Sequence, residues 1–348
     1  MRLSLPALLA ALAVAAAQQP APPPALPPIN AGAARPDTTI NGLDGPGFAL
    51  AADPSSTLLA AACENGCVHY WHRDVLTGVR VSTHTSQVLG GHKGPVTALA
   101  WGTGDRLASA GADRKIQLWQ MPDGKLDKTL KASAIVRALA ASPAGKVLAS
   151  AEDAAVQLWD ADAGKPMMKF EGPTDWVLCL AFSPDGSRLA AGGYDGQLRV
   201  WEVSTGKKLL DVPAQPPPAP TAPKGPVTPN PVHAVTFSPD GKELAAGCAD
   251  ERVHLFSAAE GKFLRTLTGH ASTVTALAYH PGGTVLVSGS KDRSVRLWNP
   301  ANGQLLKALE GHTAWVQGVV FVAHGTRLAS VGADQTVRIW DLSEPAKK

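Results

Sequence analysis

Residues 269–299 read GHASTVTALAYHPGGTVLVSGSKDRSVRLWN, and residues 311–341 read GHTAWVQGVVFVAHGTRLASVGADQTVRIWD. Both stretches open on Gly-His, and both place an Asp six residues before a Trp. Between these marks lie short alternating apolar runs separated by turn residues, the pattern of strands and hairpins. The same frame extends backwards along the chain. Trp71, Trp119, Trp159, Trp201 and Phe256 precede Trp298 and Trp340 at steps of 48, 40, 42, 55, 42 and 42 residues. Six residues before each aromatic stands Asn65, Asp113, Asp153, Asp195, Asp250, Asp292 or Asp334. Ser-Pro-Asp-Gly turns recur at Ser183–Gly186 and Ser238–Gly241. Each unit therefore reads as four short strands, and seven units follow one another in phase.

Composition agrees with an all-β chain rich in turns. The 348 residues include 34 Gly and 29 Pro, with 45% apolar and 18% charged residues, enough apolar material for a sizeable core. The net charge of +3 falls to +2 without Arg2, too near neutrality for a nucleic-acid binder steered by charge. Four Cys rule out a small fold built on disulfides.

Met1 and Arg2 are followed by a short apolar run ending at Ala15-Ala16-Ala17, before Gln18. A charged start, an apolar middle and an Ala-x-Ala end predict a secretory signal peptide over 1–17. The run is too short for a spanning helix, so the mature chain is expected in the periplasm or secreted, with no membrane span. Residues 18–36, QQPAPPPALPPINAGAARP, read as an extended proline-rich linker.

The in-phase marks resemble the WD40 repeat family. Gly91-His92, Gly269-His270 and Gly311-His312 open units, while Trp159-Asp160 and Trp340-Asp341 close them. The resemblance covers nearly all of 37–343 and implies a seven-bladed β-propeller of four-stranded blades, leaving a short tail at 344–348. It also implies that Asp37–Leu43 supplies the outer strand of the last blade, which removes an exposed edge and closes the ring. The family's buried tetrad maps onto His92, Ser109, Asp113 and Trp119, onto His270, Ser288, Asp292 and Trp298, and onto His312, Ser330, Asp334 and Trp340. There His is expected to meet the turn Asp, and Ser the indole N–H, as a structural device rather than a hydrolase triad. Ala132, Pro173 and Thr228 stand where other units would place His, and Phe256 replaces Trp. Those blades are expected to lack the network and to depend on apolar packing.

No phosphate loop, Cys-x-x-Cys pair or His-Glu-x-x-His motif occurs, and no catalytic, cofactor or metal residue is assigned. Cys63 and Cys67 flank a short turn, open to a hairpin disulfide or to two free thiols. Cys179 and Cys248 fall on strands as small core residues. Partner binding has better candidates. Trp176 and Trp315 each precede the Val that opens an inner strand, where other units carry Pro46, Pro95, Ile135, Pro231 or Thr273. The resemblance places them on the rim of one face, together with residues before the turn Asp, among them Glu64, Glu152, Tyr194 and Lys291. They either anchor a partner there or fold down onto neighbouring blades. The proline-rich insertion 212–231 reaches the same face. The expected function is a non-catalytic scaffold outside the cytoplasm that binds a protein or peptide. The alternatives are a propeller enzyme (a quinone-dependent dehydrogenase or a hydrolase) and a structural module of a larger assembly.

Overall fold

The computed structural model describes residues 38–55, 57–72, 86–102, 105–217 and 228–342. The signal peptide, the proline-rich linker, residues 218–227 of the insertion and the short tail expected from the sequence lie outside the described residues. The fold is all-β, and the described residues form 28 strands in seven four-stranded antiparallel sheets. Strand β1 is Thr38–Ile40. Blade 1 holds β2 (Gly47–Ala52), β3 (Leu58–Cys63), β4 (Val68–His72) and β5 (Gln87–Leu89). Blade 2 holds β6 (Val96–Trp101), β7 (Arg106–Gly111), β8 (Lys115–Gln120) and β9 (Lys125–Lys131). Blade 3 holds β10 (Val136–Ala141), β11 (Val147–Glu152), β12 (Ala155–Asp160) and β13 (Lys165–Phe170). Blade 4 holds β14 (Val177–Phe182), β15 (Arg188–Gly193), β16 (Gln197–Glu202) and β17 (Lys208–Pro213). Blade 5 holds β18 (Val232–Phe237), β19 (Glu243–Cys248), β20 (Val253–Ser257) and β21 (Phe263–Leu267). Blade 6 holds β22 (Val274–Tyr279), β23 (Leu286–Ser290), β24 (Val295–Trp298) and β25 (Leu305–Leu309). Blade 7 holds β26 (Val316–Val322), β27 (Arg327–Gly332) and β28 (Val337–Asp341), with β1 as its outer strand.

The β1–β28 pair is antiparallel, with Thr38 opposite Ile339 and Ile40 opposite Val337. Ile40 and Leu43 are buried in one cluster with Val337, Ile339, Leu59 and Trp71, so the N-terminal strand also cements blade 7 to blade 1. Seven apolar clusters fill the seven junctions of the ring. In each, the aromatic that ends a third strand packs on the preceding blade: Trp340 lies against blade 6, and Phe256 against blade 4. Second strands read Leu-Ala-Ser-Ala or Leu-Ala-Ala-Gly because both their faces are covered by neighbouring blades, and only small side chains fit. The Ser-Pro-Asp-Gly turns tie inner strands to second strands: Ser183 donates to Asp185 at 2.5 Å, and Gly186 adopts φ of 70°.

Candidate functional site

The three full tetrads form as buried chains. His92 Nδ1 lies 3.0 Å from Asp113, its Nε2 lies 2.9 Å from Ser109 Oγ, and the Trp119 indole N–H donates to the same oxygen at 2.9 Å. In blade 6 the distances are 2.7 Å for His270–Asp292, 2.7 Å for His270–Ser288 and 2.8 Å for Trp298–Ser288. In blade 7 they are 2.9 Å for His312–Asp334, 2.8 Å for His312–Ser330 and 2.8 Å for Trp340–Ser330. Burial alone would raise the Asp292 and Asp334 carboxyls. The histidine ring and the backbone N–H groups of Ala271 and Thr313 overcome it and hold both well below the usual carboxylate range. Ser109, Ser288 and Ser330 are 0% exposed. Their hydroxyls already receive an indole proton, so no substrate carbonyl reaches them, and the likeness to a hydrolase triad ends at composition.

The blades without that histidine are not left to apolar packing, which corrects the reading from sequence. In blade 3 the β11–β12 turn is one residue shorter, with Glu152 directly opposite Ala155. Asp153 is thereby pushed to the tip, at φ of 51°. Glu152 turns inward instead and accepts from Ser133 N–H at 2.7 Å, Ser133 Oγ at 2.6 Å and Ser150 Oγ at 2.6 Å. Ser150 in turn receives the Trp159 indole proton at 2.8 Å. Glu152 is therefore a core acid and does not belong to the exposed face. In blade 4 Arg199 takes the place of histidine and donates to Asp195 at 2.7 Å. In blade 5 the histidine comes from the third strand: His254 Nε2 lies 2.9 Å from Asp250, and its Nδ1 lies 2.9 Å from Thr266 Oγ1. Phe256 has no indole proton, and Ala246 stands where other blades supply serine.

Cys248, Asp250 and His254 bring three potential metal donors within 4.8 Å of one another. Both imidazole nitrogens already have partners, the Cys248 thiol points at the Ala214 carbonyl 3.5 Å away, and burial pushes that thiol well above its ordinary pKa. The group works as the polar core of blade 5. Cys63 and Cys67 face each other across their hairpin, with Cys63 N–H donating to the Cys67 carbonyl at 3.1 Å. Both are free thiols, and burial raises Cys63 to about 12. Cys179, like Cys248, is buried on its strand.

The exposed site lies where inner strands begin. In six blades the N–H of the residue before the turn reaches the carbonyl of the residue before the inner strand; Tyr194 to Trp176 at 3.0 Å and Lys291 to Thr273 at 3.0 Å are examples. These two sets of residues therefore share one face. Gly193 permits the blade-4 contact: a Cβ there would stand 2.2 Å from the Trp176 carbonyl oxygen. Trp176 is 44% exposed, Trp315 49% and Tyr194 40%. Each Trp has one face covered by a cation from the preceding blade: Arg137 lies 3.8 Å above the Trp176 ring, and Lys291 lies 4.8 Å above the Trp315 ring. Tyr194 packs edge-on against Trp176 at 5.9 Å and against His233 at 6.0 Å. Burial, and then the nearby Lys291 charge, lower His233 to about 4, so its ring is neutral at pH 7. A band of aromatics and cations thus runs from blade 3 to blade 7. Arg137 and His233 were missed from sequence, although both are second residues of inner strands, two places past the position that singled out Trp176 and Trp315. The described ends of the insertion are pinned near this face. Ala214 N–H donates to Gly196, and the Asn230 side chain accepts from Asp250 N–H at 3.1 Å.

The ring and its repeated buried marks define a WD-repeat propeller with an aromatic face. A model of the WD40 family, described as WD domain, G-beta repeat, matches residues 83–120, 124–160, 164–202, 224–257, 261–299 and 303–341. The chain belongs to this family. Every matched unit except 224–257, which holds only β18 to β20, runs from an outer strand into the next blade, one strand out of step with the sheets. The chain is 32% identical to WD repeat-containing protein VIP3 of Arabidopsis thaliana over 51% of its own length and 58% of that protein. It is 39% identical to human Coronin-7 over 33% of the chain and 14% of that protein. It is 34% identical to small ribosomal subunit protein RACK1y of Oryza sativa subsp. japonica over 38% and 42% of the two chains. The matched regions cover at most 58% of these relatives. Among the described residues no helix is long and apolar enough to cross a membrane.

Proposed function

We propose that the chain is a non-catalytic interaction scaffold, exported from the cytoplasm, that holds a protein or peptide on the face spanning blades 3 to 7. The observation that carries this reading is the pair of half-exposed tryptophans, Trp176 and Trp315, at positions where the repeat itself asks for no large aromatic. Large aromatics held rigid at a rim are the residue type that dominates binding energy at interfaces. Similarity to WD-repeat proteins supports the scaffold class, and the pattern of residues 1–17 supports export.

Cross-linking and capture from an envelope fraction tests the reading. The Trp176→Ala, Trp315→Ala double variant should lose at least about 2 kcal/mol of partner affinity while its unfolding free energy changes by under about 1 kcal/mol. A double variant that keeps its partner, or that melts far below the parent, overturns it. N-terminal sequencing of the mature chain should begin after Ala17.

A further inference from the structure

Arg137 and Lys291 differ from the cations of the ring that meet a carboxylate. Arg106 meets Asp162, Arg199 meets Asp195, Arg265 meets Glu243 and Arg327 meets Asp341. Among the described residues, neither Arg137 nor Lys291 has a carboxylate within ion-pair distance. Arg137 Nε is buried and has no hydrogen-bond partner. Stacking on a ring stabilises a cation through the aromatic quadrupole, but it leaves the outward N–H groups free to donate. Both charges therefore stand on the exposed face, oriented by Trp176 and Trp315 and not neutralised. His233 between them is neutral at pH 7 and adds no charge.

Asp153 and Glu251 stand exposed on the hairpin tips of blades 3 and 5, and the other acids near this face lie elsewhere or accept a local hydrogen bond. Asp175 accepts the Trp176 backbone N–H at 2.7 Å. Glu152 is buried. Asp44, beside His69, and Glu64 belong to blade 1. The two cation–tryptophan pairs span the junctions of blades 3 and 4 and of blades 6 and 7, so they stand nearly opposite each other across the ring. A small anion meets one pair; an extended chain crossing the face meets both.

We infer that the occupant of this face is an acidic peptide segment, whose carboxylates pair with Arg137 and Lys291 while an apolar or aromatic side chain packs on Trp176, Tyr194 or Trp315. The inference rests on the scaffold reading and adds the partner's charge to it. Unpaired fixed charges beside rigid aromatics select an opposite charge and repel a like one.

Selection of a randomised, phage-displayed peptide library on the full chain is the test, followed by fluorescence polarisation with the enriched peptides. The expected result is enrichment of Asp- and Glu-rich sequences carrying an aromatic or aliphatic residue, with affinity that falls as salt rises. Arg137→Glu and Lys291→Glu should each weaken binding by about tenfold, and Lys291→Arg should retain it. The melting temperature of Lys291→Glu should be unchanged, because that side chain belongs to no buried network. Enriched peptides that are neutral or basic but still require Trp176 and Trp315 overturn the charge assignment and leave the scaffold reading standing. Peptides indifferent to the tryptophans and the cations alike overturn both. If only phosphatidylglycerol vesicles bind, with dependence on Arg137 and Lys291, the face is a membrane-docking surface and the peptide assignment fails.

Discussion

Blades 6 and 7 bury their turn aspartate with the same four residues, whereas blades 3, 4 and 5 use a glutamate with two serines, an arginine, and a histidine from another strand. The five blades are nevertheless matched by one family model. What recurs in these five blades is a set of donors around a carboxylate, and the identity of the donor is negotiable. The same comparison explains why the sets differ. A hairpin shortened by one residue moves the acid from Asp153 to Glu152, and the donor moves with it, from the position of Ala132 to Ser133.

The largest way to break this comparison lies outside the networks. Blade 7 has a complete tetrad yet borrows its outer strand, so deleting 37–43 should cost about 3–5 kcal/mol by exposing Ile40, Leu43 and an edge of β28. Deleting 18–34 should leave the melting temperature unchanged. Equal melting of the two truncations in calorimetry rejects the role of β1.

Next come the acids themselves. Asp292→Ala and Glu152→Ala should each cost about 2–4 kcal/mol in denaturant unfolding, since each strands buried donors. Asp153→Ala should cost under about 1 kcal/mol, because no side-chain donor reaches Asp153 among the described residues. A larger loss at Asp153 than at Glu152 would falsify the exchange of roles in blade 3.

Acid sharpens the comparison further. The Asp292 and Asp334 carboxyls are held below their unfolded value, so their contribution is fully present above about pH 4 and is lost as pH falls below it. Asp292→Asn should therefore be less stable than the parent at neutral pH, and the gap should close in strong acid. A gap independent of pH shows that the charge of Asp292 contributes nothing.

The smallest effect belongs to blade 1, which has asparagine in place of the turn acid and leaves the Trp71 indole N–H unpaired. In protein purified from an oxidising compartment, mass spectrometry without reduction should find Cys63 and Cys67 linked. A bridge closing so short a loop should raise stability by under about 1 kcal/mol. Two alkylatable thiols in that preparation reject the link.

The ring was readable because its marks recur at one fixed offset, and a repeat position survives any uncertainty about a single residue. The clasp formed by Thr38–Ile40 was implied by the resemblance to the WD40 family, which placed Asp37–Leu43 as the outer strand of the last blade. The substitute networks were harder to see. Ser133 and Glu152 each lie one place from the vacated mark, and only a shift at both ends together reveals them. Lys291 was legible as a residue of the face, but its pairing with Trp315, and that of Arg137 with Trp176, were hidden for another reason. Arg137 and Lys291 each meet their tryptophan across a junction between blades, so the pairing appears only when an inner-strand or hairpin-turn position of one unit is laid beside the start of the next.

The clasp has a mechanical consequence. In the antiparallel β1–β28 pair the chain enters at Thr38, opposite Ile339, and leaves past Asp341 at the same end. Traction arriving through the N-terminal segment falls first on that end, so the ladder positions separate in succession, like a zipper, instead of sharing the load. A ring held by seven packed junctions would therefore open under tension at a single seam, the one that fastens it.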